Sequence, residues 1–217
     1  MKFPRLYAIV DGDLLATRSL PLDVFTAELQ AAGIGLVQYR NKQAGERRML
    51  SDATLLRNTF SGTDTRLIFN DRADLAVIAG FHGVHVGQED LAPEEARSIV
   101  GPQAWVGVST HTPEQVRHAD RSGCNYIAYG PIYSTTNKQN PDPIVGLEGL
   151  HLARACTSKP LVAIGGITRS NCRAVMEAGA DSVAVISDLL PQASGKARST
   201  NTTSEIAREF LALLMTQ

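Results

Sequence analysis

The sequence predicts a single (β/α)8 TIM barrel, and two patterns support this prediction. Eight short runs of Val, Ile, Leu and Ala recur along the 217 residues, and each is followed by a polar or Gly-rich break and then by a helix-like stretch. Short, continuously apolar strands that alternate with helices are typical of a parallel sheet buried on both faces. Eight such units in about 200 residues favour a closed barrel, with a doubly wound open sheet as the alternative.

The elements follow one another in regular order. The predicted strands are residues 6–10, 36–39, 66–69, 83–86, 105–108, 126–129, 161–164 and 182–185. The predicted helices are residues 22–32, 47–60, 72–79, 93–100, 113–122, 150–155, 171–178 and about 204–215. Capping patterns mark two of the helix starts: Thr112 precedes Pro113 and Gln115, and Thr202 with Glu205 forms a capping box before the last helix.

The composition is that of one domain. With 43% apolar residues, the chain can bury a sizeable core, so residues 1–217 are predicted to form one barrel domain with a polar insertion at about 191–203. The formal net charge of −1 implies no general attraction to nucleic acid or to an anionic membrane. No signal peptide or membrane span is predicted, and the three cysteines lack a close ligand spacing. These features fit a cytoplasmic enzyme with small-molecule substrates, and they leave a homo-oligomer open.

The second predicted strand ends in three long hydrogen-bond donors spaced two residues apart. Gln38, Arg40 and Lys42 would point to the same side of an extended chain. Two cations and an amide held together indicate a bound anion, and a phosphate or diphosphate is the obvious candidate. From this stretch alone, a strand end whose charged residues point into solvent remains an equal alternative.

Other polar residues gather where the remaining strands end, which is where barrel active sites lie. Asp71 and Asp90 follow neighbouring strands within reach of the predicted anion site, and two hard carboxylates beside a polyphosphate are typical of a Mg²⁺ site. The alternative is that each carboxylate caps a helix. Gly165 and Gly166 follow the seventh strand, where backbone N–H groups could approach a monophosphate without a Cβ in the way.

The histidines indicate no nucleophilic site. His82 and His85 lie on opposite sides of one strand, and His111 could make a structural hydrogen bond or a substrate contact. No Ser/His/Asp or Cys/His arrangement can be argued from the spacing. Chemistry that needs no general base would suit this chain.

The chain resembles the thiamine-phosphate synthase family over residues 6 to about 187. The motifs, in the family's order, are Val37-Gln38-Tyr39-Arg40-Asn41-Lys42, Asn70-Asp71-Arg72, Gly83-Val84-His85-Val86-Gly87-Gln88-Glu89-Asp90, Gly107-Val108-Ser109-Thr110-His111, Gly130-Pro131-Ile132-Tyr133 and Ala163-Ile164-Gly165-Gly166-Ile167. The resemblance implies a (β/α)8 enzyme that joins 4-amino-5-hydroxymethyl-2-methylpyrimidine diphosphate to a thiazole monophosphate. It would release diphosphate and form thiamine phosphate.

The resemblance also implies a role for individual residues. The pyrimidine diphosphate would be bound by Gln38, Arg40, Lys42, Asn70, Ser109 and Lys138, of which Arg40, Lys42 and Lys138 would stabilise the leaving group. Mg²⁺ would be held by Asp71 and Asp90. The thiazole phosphate would be bound by Thr135, Asn137, Gly166, Ile186 and Ser187. Asn137 stands where the family usually has a Thr, and its amide can still donate a hydrogen bond.

Two other functions are weighed against this one. A related enzyme isomerises a thiazole carboxylate phosphate and needs a general base. Its His follows the Gly after the sixth strand, where this chain has Pro131. A non-catalytic ligand-binding paralogue would have no reason to keep Asp71, Asp90, Lys42 and Lys138 together.

Overall fold

Eight parallel strands close into a barrel in sequence order, as predicted, and the open-sheet alternative is wrong. The computed structural model describes residues 3–135, 142–191, 193–194, 197–198 and 201–215, with the backbone alone at 193–194 and 197–198. The strands are β1 (Leu6–Asp11), β2 (Leu36–Arg40), β3 (Arg66–Asn70), β4 (Gly83–Val86), β5 (Trp105–Thr110), β6 (Tyr126–Tyr129), β7 (Leu161–Ile164) and β8 (Ser182–Val185). The pairing of β1 with both β2 and β8 closes the ring.

Helices follow the strands and cover the outside of the barrel. They are α1 (Gly12–Thr17), α2 (Leu22–Ala31), α3 (Glu46–Thr59), α4 (Ala73–Ile78), α5 (Pro93–Val100), α6 (Pro113–Arg121), α7 (Gly146–Arg154), α8 (Cys172–Glu177) and α9 (Thr203–Met215). Two short helices were not predicted: α1, and a 3-10 helix at Ser187–Leu189. Neither is long enough to show an apolar period, and α1 begins because the Asp11 carboxylate accepts a hydrogen bond from the N–H of Leu14.

The strands have two buried faces, which explains their continuous apolar character. Along β1, Tyr7 and Ile9 point into the barrel, whereas Ala8 and Val10 pack beneath the helices. The same alternation divides the core into a large outer layer and a smaller inner one. Both predicted caps form: the N–H of Gln115 donates to Thr112 Oγ1, and Thr202 and Glu205 bond to each other reciprocally.

The segment predicted as a polar insertion contains two very short strands. Ala193–Ser194 (β9) and Ala197–Arg198 (β10) pair with each other in antiparallel fashion, apart from the barrel sheet. The helix α9 then begins at Thr203 and packs on α2 and α8. No described helix is long and apolar enough to cross a membrane.

Candidate active site

A cavity of about 670 Å³ opens at the carboxyl ends of the barrel strands. Its walls include every predicted site residue that the structure describes. These are Gln38, Arg40, Lys42, Asn70, Asp71, Asp90, Ser109, Thr135, Gly166, Ile186 and Ser187. Asn137 and Lys138 lie outside the described residues. Residues from the ends of β2 to β8, or from the loops that follow them, therefore meet in one space, as the barrel geometry requires.

The predicted anion site lies on one wall of this cavity, and each of its side chains has a partner within the chain. Gln38 Nε2 donates to Tyr7 Oη over 2.9 Å, Arg40 forms an ion pair with Asp11, and Lys42 Nζ lies 3.2 Å from Asp71 Oδ2. The side chains converge as expected. Two of the chain's own carboxylates, Asp11 and Asp71, offset part of their charge, and the binding of a phosphate or diphosphate stays a prediction.

Asp11 is one of the polar residues expected at the strand ends, but its role as the partner of Arg40 was not predicted. It is 5% exposed, it caps α1 and it holds the guanidinium of Arg40. The strand register places Asp11 directly beside Arg40 on the next strand. The sequence does place an acidic residue directly after the first predicted strand. Its pairing with Arg40 depends on the relative offset of β1 and β2, which the sequence does not show.

Asp71 lies at the end of β3 with a left-handed backbone, φ +61°. Such a conformation is uncommon for residues other than Gly, although Asn and Asp adopt it more readily than most, and strained residues cluster at functional sites. Its N–H donates to the carbonyl of His85, and Arg72, not Asp71, is the N-cap of α4. The helix-cap alternative is therefore wrong for Asp71.

Burial raises the pKa of the Asp71 carboxyl, and the charge of Asp90 raises it further, while Lys42 opposes both effects. Asp90 accepts a hydrogen bond from the N–H of Gly87 over 2.7 Å. It does not cap α5, because Ala92 is the N-cap and its N–H donates to Glu95 Oε2. Two carboxylates thus face each other at the cavity edge, with Lys42 beside Asp71.

This pair has the donor set for a hard divalent cation. Mg²⁺ is commonly bound by one or two carboxylates, while substrate phosphates and water complete its shell. Within the described residues there is no cluster of three or more His, Cys, Asp or Glu that would form an all-protein metal cage. The mutual repulsion that raises the pKa of Asp71 is what a bound cation would relieve.

Gly165 and Gly166 form the opposite wall of the cavity. Besides any phosphate contact, the backbone conformation and the packing around them also require glycine. Both have positive φ, +101° and +62°. A Cβ on Gly165 would lie 2.6 Å from the Cα of Pro131, and one on Gly166 would lie 2.5 Å from the carbonyl oxygen of Ser134. The glycines therefore allow the loop after β6 to pack against the end of β7, whether or not a phosphate binds there.

We expect Gly166→Ala to destabilise the protein by roughly 2–4 kcal/mol, because left-handed strain and a backbone collision add together. Gly62→Ala is the matched control: Gly62 also has positive φ, +75°, but no described atom lies within 4 Å of its Cβ position. Strain alone should cost Gly62→Ala about 1 kcal/mol. Urea unfolding of both variants measures the difference, and equal losses would show that the packing contact is unimportant.

Polar side chains also form the floor of the cavity. His85 Nδ1 lies 3.0 Å from Tyr126 Oη, and His85 Nε2 lies 2.9 Å from Ser109 Oγ. Burial lowers the pKa of His85 to about 4, so the ring is neutral at physiological pH. Sequence reasoning had placed His85 on one side of its strand and given it no role. The alternation of inward-facing residues along β1, β4 and β6 could have indicated this floor.

His111 makes a structural hydrogen bond, one of the two contacts left open by the sequence, and its position at the cavity also allows the other. Its Nδ1 donates to the carbonyl of Gly130 over 2.6 Å, and its ring lines the cavity. Its Nε2 lies 3.4 Å from Asp142 Oδ2. The ring thereby ties the end of β5 to the loop that follows β6.

Comparison with known proteins identifies the family. A family model described as thiamine monophosphate synthase matches residues 6–189. The chain belongs to the thiamine monophosphate synthase family. The resemblance predicted from the motifs is confirmed. The match spans all eight strands and the 3-10 helix, so the cavity walls described above lie within the family region.

Curated members of the thiamine monophosphate synthase family resemble the chain closely. The thiamine-phosphate synthase of Koribacter versatilis is 57% identical over 192 residues, which cover 88% of this chain and 90% of that protein. The thiamine-phosphate synthase of Chloroflexus aurantiacus is 41% identical over 186 residues, 84% of this chain and 83% of that protein. A solved thiamine phosphate pyrophosphorylase from Pyrococcus furiosus superposes with a TM-score of 0.82 at 28% identity, covering 97% of this chain and 95% of that one.

Proposed function

We propose that the protein is a thiamine-phosphate synthase. In this reaction the methylene carbon of 4-amino-5-hydroxymethyl-2-methylpyrimidine diphosphate loses diphosphate and bonds to the nitrogen of a thiazole monophosphate. The observation that carries the proposal is the division of one cavity into two unlike walls. Cations and a carboxylate pair line one wall, and a glycine turn beside a 3-10 helix lines the other. The curated relatives named thiamine-phosphate synthase support the same activity.

The pyrimidine diphosphate would occupy the wall formed by β2 to β5. Gln38 and Ser109, deep in the cavity, present an amide and a hydroxyl to the pyrimidine ring. Arg40, Lys42 and Asn70 lie above them, toward the strand ends, where the diphosphate would extend. Their positive charge would attract the diphosphate and remain beside it after it leaves.

Asp71 and Asp90 would hold Mg²⁺ at this wall, since the two carboxylates face each other and the pKa of Asp71 is raised by burial and then by the charge of Asp90. When bound, the ion would neutralise charge on the phosphate oxygens. Lys42 is half-exposed and lies 3.2 Å from Asp71, so it would contact a diphosphate bound next to the carboxylate pair.

The thiazole monophosphate would bind at the opposite wall. The residues on that wall follow β6, β7 and β8 and are Thr135, Gly166, Ile186 and Ser187. The N–H of Arg169 donates to Asp188 Oδ2, which ties the loop after β7 to the 3-10 helix after β8. Two loops that are fixed to each other would hold a phosphate in a constant position relative to the pyrimidine wall.

The proposed chemistry matches the residues available. The C–O bond of the pyrimidine diphosphate breaks, the electron pair leaves with the diphosphate, and the ring amino group shares the positive charge left on the methylene carbon. The thiazole nitrogen then donates its lone pair to that carbon and has no proton to lose. Arg40 and Lys42 would therefore act by electrostatic stabilisation of the leaving group, and the mechanism requires no general base.

The direct test is coupling by the purified protein. With both substrates and Mg²⁺ present, thiamine phosphate and diphosphate should appear in equal amounts, and omission of either substrate should abolish both. Chromatography of thiamine phosphate and an enzyme-coupled diphosphate assay measure the two products. A folded protein, verified by circular dichroism, that yields no thiamine phosphate from the complete mixture would contradict the proposal.

A further inference from the structure

A continuous chain of hydrogen bonds crosses the inside of the barrel beneath the cavity. Gln38 Nε2 donates to Tyr7 Oη over 2.9 Å, and Tyr7 Oη lies 2.9 Å from Tyr126 Oη. Tyr126 Oη lies 3.0 Å from His85 Nδ1, and His85 Nε2 lies 2.9 Å from Ser109 Oγ. Barrel interiors are usually filled by branched apolar side chains, so five linked polar residues here need a reason.

The chain has a definite direction. Tyr7 has two hydrogen-bond partners in the part of the chain that the structure describes, and it accepts from one of them, Gln38. Its own hydrogen therefore goes to Tyr126 Oη. Since Tyr126 accepts from Tyr7, it donates to His85 Nδ1.

The direction continues through the imidazole to the other end. His85 is 6% exposed, and because its Nδ1 accepts from Tyr126 the ring carries one donor and one acceptor. An acceptor at Nδ1 places the hydrogen on Nε2, which then donates to Ser109 Oγ. The hydroxyl of Ser109 keeps its own hydrogen for the cavity. At the opposite end, the side-chain carbonyl oxygen and the second N–H of Gln38 remain available to a ligand in the cavity.

We propose that Tyr7, Tyr126 and His85 are positioning residues that set the hydrogen-bond polarity of Gln38 and Ser109 toward the pyrimidine ring. This inference rests on the proposed function. An aminopyrimidine edge offers an N–H donor beside a ring-nitrogen acceptor, which matches an amide held with its oxygen and one N–H free. A pyrimidinone edge has the reverse order of donor and acceptor, and to match it the amide would have to turn over and break its bond to Tyr7. The buried chain would thus select an amino-substituted ring.

Tyr126 is the residue at which to test this, because its hydroxyl joins the two halves of the chain and it does not itself line the cavity. We expect Tyr126→Phe to raise KM for the pyrimidine diphosphate roughly ten-fold, the effect of about one hydrogen bond, and to leave KM for the thiazole monophosphate unchanged. Preference for the aminopyrimidine over its 4-oxo analogue as a competing ligand should fall by a similar factor.

Tyr39→Phe is the matched control. Tyr39 is also a fully buried tyrosine, and its hydroxyl donates to Asp52 Oδ2 over 2.8 Å in the helix layer, away from the cavity. Both variants lose one buried hydroxyl, so a purely structural role predicts similar losses of thermal stability and no change in either KM. If Tyr126→Phe behaves like Tyr39→Phe in the KM measurements, the positioning role is overturned.

A measurement without substrate tests the direction of the chain. Nitrogen-15 NMR at neutral pH should show His85 protonated at Nε2 and bare at Nδ1, with His85→Gln used to assign the resonance. The opposite tautomer would overturn the proposed polarity. If the protein failed to form thiamine phosphate but showed the expected tautomer, the proposed function alone would fail. Normal coupling with an unchanged KM in Tyr126→Phe would overturn this inference alone.

Discussion

Asp71→Asn is expected to lower kcat/KM for coupling by at least about 100-fold, since it removes one of the two carboxylates proposed to hold Mg²⁺. The same variant should be at least as stable as the wild type. Burial and Asp90 raise the pKa of Asp71, so its ionised form is less favourable in the folded state than in the unfolded state. Asn removes that charge, and Asn adopts the left-handed backbone at this position readily.

The stability gain should depend on pH in a definite direction. Above the ordinary carboxyl pKa, the charged Asp71 costs folding free energy, whereas below that pKa the group is protonated in both states and the cost disappears. The gain of Asp71→Asn should therefore be largest at neutral pH and shrink in acid. Thermal melts and steady-state kinetics measure both effects. Asp74→Asn is the control, because Asp74 pairs with Arg72 on an exposed surface. Wild-type turnover in Asp71→Asn would remove this residue from the mechanism.

Lys42→Met is expected to lower kcat/KM for the pyrimidine diphosphate on the order of 100-fold, because it removes a cation that would stabilise the charge growing on the leaving group. KM for the thiazole monophosphate should be unchanged, since that substrate would bind at the opposite wall. The side chain of Lys42 is 53% exposed, and its ion pair with Asp71 is therefore worth little to folding. The melting temperature should stay close to that of the wild type.

Two further variants separate the position of this charge from its mere presence. Lys42→Arg keeps a cation at the site and should recover part of the lost rate. Arg72→Met removes a neighbouring cation whose partners, Glu46 and Asp74, lie outside the cavity walls. We expect Arg72→Met to change the rate less than two-fold. If Arg72→Met and Lys42→Met lowered kcat/KM equally, the effect would come from the overall electrostatic potential of the protein and not from the position of Lys42.

The strands could be predicted closely because burial on both faces leaves an unbroken apolar run. For β4, β6, β7 and β8 the predicted bounds agree with the structure, and β1, β2 and β3 extend one residue further, into Asp11, Arg40 and Asn70. Of those extra residues, Arg40 and Asn70 line the cavity, and Asp11 forms an ion pair with Arg40. The helix α7 begins at Gly146, earlier than predicted. The prediction missed its first turn because that turn carries no apolar period of its own.

The candidate site was predictable as a set of positions. In a barrel every strand ends at the same rim, so polar residues after successive strands must meet. The partnerships between them were not predictable. The pair of Arg40 with Asp11, the left-handed Asp71 and the close approach of Gly166 to Ser134 each depend on the offset between neighbouring strands and loops.

The sequence by itself determined the order of strands and helices and the polar residues at the strand ends, because apolar periodicity is a local property of the chain. It favoured a closed barrel, and the structure excluded the open sheet. Its motifs also determined the family. Only the tertiary structure decided which side chains touch. Gln38 and Ser109 are 71 positions apart by their residue numbers, yet Tyr7, Tyr126 and His85 link them through the barrel interior. Such a link forms across five different strands, and its geometry exists only once the barrel has closed.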